Sequence, residues 1–183
     1  HQIIIASIAW KRPDGSLVAY GFQWFAEDRA LIDAWADLME DENIGKIAHK
    51  ADFEIGWTRF RSGFKNGKGP WIKNLSWDTC LGAHCIDNNG KVGLKFLTYA
   101  KLGIIGYDSG VERYLTNVLQ GENSSSTNAF NHLKSAHLPW EPLITYCAED
   151  SLYTLWLKQQ QIFELEPSQL VGFNLFKAGV MTL

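Results

Sequence analysis

Two apolar, β-branched runs, residues 2–10 (QIIIASIAW) and 17–24 (LVAYGFQW), flank Pro13-Asp14-Gly15. Isoleucine, valine and aromatic side chains suit a pleated surface, and Pro-Asp-Gly is a strong chain-reversal signal. The chain is therefore expected to open as a β-hairpin. A lone two-stranded hairpin is marginal in water, so its apolar face must be covered by something else. Most of the chain beyond the hairpin is helical in pattern. Glu27 to Met39 sets Leu31, Ile32, Trp35, Leu38 and Met39 at helical spacing, with acids in its first turn. Ile44 to His49 reads as a short buried strand, and residues 51–60 as a helix ended near Ser62-Gly63. Strands early and helices late describe an α/β domain whose sheet comes mainly from the first half.

Leu75-Ser76-Trp77 leads to Asp78, an expected N-cap for a helix through Ile86. Gly93 to Leu102 is a further helix stopped by Gly103, and helical stretches also fit 110–119 and 127–136 around a polar segment at 121–126. Pro139 and Pro142 open a long helix that Pro167 interrupts, and residues 168–183 form a separate amphipathic stretch. The composition, 46% hydrophobic and 20% charged over 183 residues, suits a single folded domain and argues against disorder. No apolar run has the length of a membrane span, and no secretory or transit signal is visible at the N-terminus. Three cysteines without a CxxC pair indicate neither a disulfide framework nor a zinc site, so a cytoplasmic setting and no membrane partner are expected.

Three sites carry chemistry. In the long helix, Tyr146 and Asp150 are four apart and so share one face. The pair reads either as a solvated Asp beside a half-buried Tyr, or as a metal-holding carboxylate beside a phenol that positions water. At Ile47-Ala48-His49-Lys50-Ala51-Asp52-Phe53-Glu54 a strand passes into a helix, and Glu54 either serves the helix dipole or projects into a cleft at the sheet's end. From Thr58 to Asn74, Arg59, Arg61, Lys65, Lys68 and Lys73 alternate with Phe60, Phe64 and Trp71 without an acid. That stretch reads as a solvated loop or as a track for a phosphate backbone with bases stacked on the rings, even though the net charge is −3.

Taken in order, IAHKADFEIGW, WDTCLGAHCIDNNGKVGLKFLTYAKLG and YCAEDSLYTL resemble the second motif, the following block and the third motif of the proofreading 3′–5′ exonuclease domain of bacteriophage-type family A DNA polymerases. That group belongs to the tyrosine subclass of the DEDD exonucleases. The resemblance implies an RNase H-like exonuclease fold, a mixed sheet flanked by helices, over residues 1–166, with 167–183 beginning the connection to a downstream polymerase domain. It implies hydrolysis of the 3′-terminal phosphodiester of DNA by two Mg2+ or Mn2+ ions, with a single-stranded 3′ end as partner in a phage-infected or bacterial cell. Glu54 matches the third acidic ligand, Asp150 the fourth, and Tyr146 the residue that orients the attacking water. His49 and Phe53 flank the second motif and line the substrate groove, as does Lys50, which stands where the family usually has Asn. Asp78 matches an aspartate of the family block but is expected to be a cap.

The family's first motif, Asp-x-Glu on the opening strand, is not present on residues 2–10. The resemblance therefore implies that the central strand and two ligands lie upstream of His1, and that residues 1–183 are a fragment without activity of its own. A gap or strained pairing is then expected between residues 3–9 and 44–48, and poor solubility with it. Two other readings stand beside this one: a nucleic-acid-binding module that has lost its metal site, and an RNase D-like exonuclease acting on RNA.

Overall fold

The hairpin pattern and the helical spacings both materialise in the computed structural model, which describes residues 3–61, 69–112 and 140–181 of an α/β chain. Strand β1 (Ile5–Lys11) pairs antiparallel with β2 (Leu17–Gln23), Ile5 opposite Gln23 and Lys11 opposite Leu17. Asp14 closes the turn by accepting from the Ser16 backbone N–H at 2.9 Å and its hydroxyl at 2.6 Å, while Gly15 takes φ +88°. Helix α1 (Arg29–Glu40) begins two residues later than expected. Its first turn holds no acid, because Asp28 sits at the N-cap and accepts from the Leu31 N–H at 3.1 Å.

Strand β3 (Lys46–Ala48) is shorter than the expected run, and helix α2 (Ala51–Arg61) follows it at once. The return strand β4 (Leu75–Asp78) runs parallel to β3, making a β–α–β unit. The sequence pattern suggests only an entry into a helix there, since four residues give too short a run to show strand periodicity. Helix α3 (Thr79–Ile86) starts beyond the expected Asp78 cap. Helix α4 (Leu94–Leu102) ends on Gly103, which adopts the left-handed conformation at φ +70°. Helix α5 (Trp140–Glu164) is followed by α6 (Pro167–Val180), which opens on a capping box between Glu166 and Gln169. The expected helices at 127–136 and most of 110–119, the polar segment and the greater part of the basic loop lie outside the described residues; 109–112 is helical.

The described strands do not form the one mixed sheet expected. They form two separate two-stranded sheets, β1–β2 and β3–β4. Among the described residues no ladder joins β1 to β3, so the expected gap between residues 3–9 and 44–48 is present. Helix α5 spans the break, packing on β1, β2 and β3 and, on its other sides, on α3 and α4. Its approach to the hairpin is close. A Cβ on Gly21 would lie 2.5 Å from the Ile144 carbonyl oxygen, so only glycine fits there. On β1, the Ser7 hydroxyl donates to the Cys147 carbonyl at 2.7 Å and lies 2.5 Å from the Ser151 hydroxyl.

Burial follows the same frame. Met39, Ala51, Ile55, Ile72 and Leu75 form one cluster between α1, α2 and the β3–β4 pair. Ala83, Leu97 and Leu157 form another among α3, α4 and α5. Trp77 stacks on Phe173 of α6 with centroids 4.3 Å apart. Among the described residues, no helix is long and apolar enough to cross a membrane.

Candidate active site

Parallel strands β3 and β4 end side by side, and a helix leaves each end. Residues at such carboxyl ends project into a crevice that the strands themselves cannot fill. Asp78, only 5% exposed, sits between the two helix starts. One oxygen accepts from the N–H groups of Lys50 (3.0 Å), Cys80 (2.9 Å) and Leu81 (3.2 Å), the other from Ala51 (2.8 Å). It therefore caps α2 and α3 together, four N–H groups on one carboxylate. The expected cap is present, and its reach to a second helix is not legible in sequence.

His49 ends β3 half-buried, with Nδ1 2.9 Å from the Thr79 hydroxyl. That hydroxyl donates to the Ala48 carbonyl at 3.3 Å, so its lone pair is left to accept from the His49 Nδ1–H. Burial holds the His49 pKa below its ordinary value, against the pull of the Asp78 charge, which favours a neutral ring with its lone pair on Nε2.

The charge of Asp150, far away in sequence, is felt at Glu54. The Glu54 carboxyl is pushed up to about 7, first by burial, then by the charges of Asp150 and Asp78. Glu54 is nonetheless exposed, so water discounts the burial effect, and the like charges of Asp150 and Asp78 act in the same direction. Asp150 is raised to about 6 by burial, opposed by hydrogen bonds from Tyr107 and Tyr146 and by the charge of Lys95. With Glu54 the weaker acid of the two, Asp150 ionises beside a neutral Glu54, and the repulsion falls on Glu54. Tyr146 is half-buried with its hydroxyl on Asp150, not lost in the apolar core, and burial together with the Asp150 charge raises the phenol's pKa.

Two carboxylates whose charges are felt at one site suit a hard divalent cation, which commonly takes one or two protein carboxylates and keeps several waters. Among the described residues, no group of three or more His, Cys, Asp or Glu side chains is placed to hold a metal. An open cavity of about 280 Å3 adjoins the pair, lined by Tyr107, Tyr146, Val111, Pro142 and Thr145 with Glu141 beside them. It reaches neither carboxyl, so it neighbours the charged centre rather than containing it.

The residues expected to meet nucleic acid spread along α2 and its surroundings. Lys50 is exposed at the head of the helix. Phe53 is 52% exposed and tilted against Trp57 at 5.8 Å. Arg59 lies 3.2 Å over the Trp71 ring, and Phe60 and Trp71 are both exposed. Arg61 ends α2 and Lys65 follows it; the Arg61 side chain and the whole of Lys65 lie outside the described residues.

Sequence reasoning missed Tyr107. Its hydroxyl donates to Asp150 Oδ1 at 2.8 Å, and its ring stacks on Tyr146 with centroids 5.7 Å apart. The one signal for it is local: Gly103 and Gly106, both of positive φ, bracket a tight turn that ends at Tyr107. No protein-family model, curated protein or solved structure matches the chain.

Proposed function

We propose that Glu54, Tyr146 and Asp150 are part of a 3′–5′ exonuclease site that hydrolyses the 3′-terminal phosphodiester of DNA with Mg2+ or Mn2+. The observation that carries this reading is the Asp150 carboxylate held on α5 by the Tyr107 and Tyr146 hydroxyls, with its charge helping to raise the Glu54 pKa. Bound divalent cations would activate water and stabilise the departing 3′-oxygen. The chain's own part is to supply charge and order around them. Glu54 and Asp150 present oxygen donors, and Tyr146 gives a phenol beside the reacting water. Exposed Lys50 offers a cation to a phosphate, while Phe53, Phe60 and Trp71 offer rings to bases of a single strand.

The finer fold we infer is RNase H-like. The break between β1 and β3, crossed by α5, is where the family carries its Asp-x-Glu strand, and the proposed site includes two carboxylates from that strand. Residues 167–183, helical through Val180, are the proposed link to a polymerase domain.

The test is release of nucleoside 5′-monophosphates from 3′-labelled single-stranded DNA, using the polypeptide extended upstream to include such a strand. Glu54→Gln and Asp150→Asn are each expected to abolish it without unfolding the protein. Near-normal hydrolysis by Glu54→Gln sinks the assignment. Residues 1–183 alone are expected to bind single strands without degrading them. Charge reversal at Arg61 and Lys65 should weaken that binding and flatten its salt dependence.

A further inference from the structure

Tyr107 is held from both sides before it reaches Asp150. Gly103 and Gly106, at φ +70° and +69°, fold the chain sharply after α4. Just beyond, the Asp108 carbonyl accepts from the N–H groups of Val111 (3.0 Å) and Glu112 (2.9 Å), starting the turn at 109–112. Lys95 of α4 pairs with the Asp108 carboxylate and, at 3.0 Å, with Glu112, which ties the loop back to the preceding helix. The Tyr107 ring then lies on α5, stacked on Tyr146 and edge-on to Tyr153 with centroids 4.9 Å apart. Tyr146 precedes Asp150 by four residues and Tyr153 follows it by three, so all three share one helical face. The Tyr107 hydroxyl meets the Asp150 carboxylate between them, 2.8 Å from Oδ1.

We propose that Tyr107 is a positioning residue that fixes the rotation of the Asp150 carboxylate, and so decides which of its lone pairs face Glu54 and a bound divalent cation. This rests on reading Glu54 and Asp150 as metal ligands. An ionised carboxylate offers about four acceptor positions on two oxygens. Tyr146, from the same helix, occupies one and alone leaves the group free to turn about its Cβ–Cγ bond. A second donor arriving from a separate element removes that freedom. Partners of this kind behind a ligating group are typically worth about 10–100-fold in metal affinity. A phenylalanine at 107 would keep both ring contacts and lose only the donor.

The experiment is a Mn2+ titration, followed by electron paramagnetic resonance, of the upstream-extended polypeptide used to test hydrolysis. Wild type is compared with Tyr107→Phe, Tyr153→Phe and Asp150→Asn, each checked for a cooperative melt. Tyr153 is the control because its phenol bonds Glu149, not Asp150, while its ring also touches Tyr107. Expected are loss of binding in Asp150→Asn, about 10–100-fold weaker binding in Tyr107→Phe, and wild-type affinity in Tyr153→Phe. Asp150-dependent binding untouched by Tyr107→Phe overturns the positioning role alone. Equal weakening in both tyrosine variants assigns the loss to helix packing and overturns it too. Absence of any Asp150-dependent Mn2+ binding overturns the metal reading and this inference together.

Discussion

Two groups of acids, buried Asp78 and the pair of exposed Glu54 and half-buried Asp150, are built on opposite plans. Asp78 meets four backbone N–H groups within 3.2 Å, and close by Trp77 Nε1–H donates to the Gln161 amide oxygen at 2.9 Å. The Gln161 amide N–H in turn donates to the Thr79 carbonyl at 2.8 Å. Each of these polar groups has a partner, which is what a buried polar network needs in order to stabilise a fold. Asp150 instead carries two phenols, and Glu54 feels the like charges of Asp150 and Asp78. Satisfied carboxylates hold elements together; opposed ones spend stability to keep charge where a cation can use it. Carboxylates thus divide into a structural role and a proposed functional one by their donors as well as by their depth.

The sharpest way to break the contrast is to remove the satisfied centre. Asp78→Ala strands the first N–H groups of two helices at once and is expected to cost about 3 kcal/mol or more in urea denaturation. Asp78→Asn, which retains acceptors on one oxygen, should cost less. A loss under about 1 kcal/mol for the alanine variant would mean the caps are readily replaced by water. Gln161→Leu comes next. It leaves the Trp77 indole N–H unpaired in a buried place and takes one acceptor bond from the Thr79 carbonyl, at an expected cost of about 2 kcal/mol. A neutral result there would show that the junction is held by the Trp77–Phe173 stack alone.

The opposed centre responds to pH. Glu54 rises from 4.5 to about 7 and Asp150 from 3.8 to about 6, so the native chain binds more protons than the unfolded one in that range. Their contribution therefore grows as pH falls from about 7 toward 4.5 and is lost as pH rises through the folded values. His49 works the other way. Its pKa is lowered from 6.5, so the unfolded chain takes its proton first and stability is lost as pH falls through that value. Metal-free Glu54→Gln should melt higher than wild type at about pH 8 and should lack wild type's relative gain at about pH 5. Identical pH profiles for the two proteins would show that Glu54 and Asp150 do not feel each other.

Much of the frame was legible because it is local. Pro13-Asp14-Gly15 names the hairpin turn, Asp78 names a helix start, and Gly103 names a helix end, each through chemistry contained within a few residues. The pairing of Glu54 with Asp150 was reached only through resemblance, since nothing local shows which distant helix will cross the end of β3. Tyr107 was invisible for a related reason: its partners lie on α5, and its position depends on a two-glycine turn rather than on any periodic pattern. The separation of β1 from β3 was expected from the motif missing on the opening strand, whereas the packing of α5 on both sheets is not written in the strand sequences.

The smallest expected effect concerns Lys50, where the two centres meet. Its backbone N–H serves the Asp78 cap at 3.0 Å, and its carbonyl accepts from the Phe53 N–H at 3.0 Å. To make both bonds it adopts φ +65°, a left-handed conformation that crowds Cβ in most residues and that asparagine tolerates better. The motif this segment resembles has asparagine at that position, so backbone strain gives a physical reason for the preference. Lys50→Asn should keep both backbone bonds and gain a few tenths to about 1 kcal/mol, while a β-branched Lys50→Ile should lose a comparable amount. Lys50 is exposed, however, and its ammonium is the part proposed to meet a phosphate. The asparagine variant should then bind single-stranded DNA more weakly, with its salt slope reduced by about one phosphate contact. Stability and binding moving in opposite directions would show that lysine is kept there for the nucleic acid at the fold's expense. A gain in stability with an unchanged salt slope would leave the strain argument standing and take Lys50 out of the substrate path.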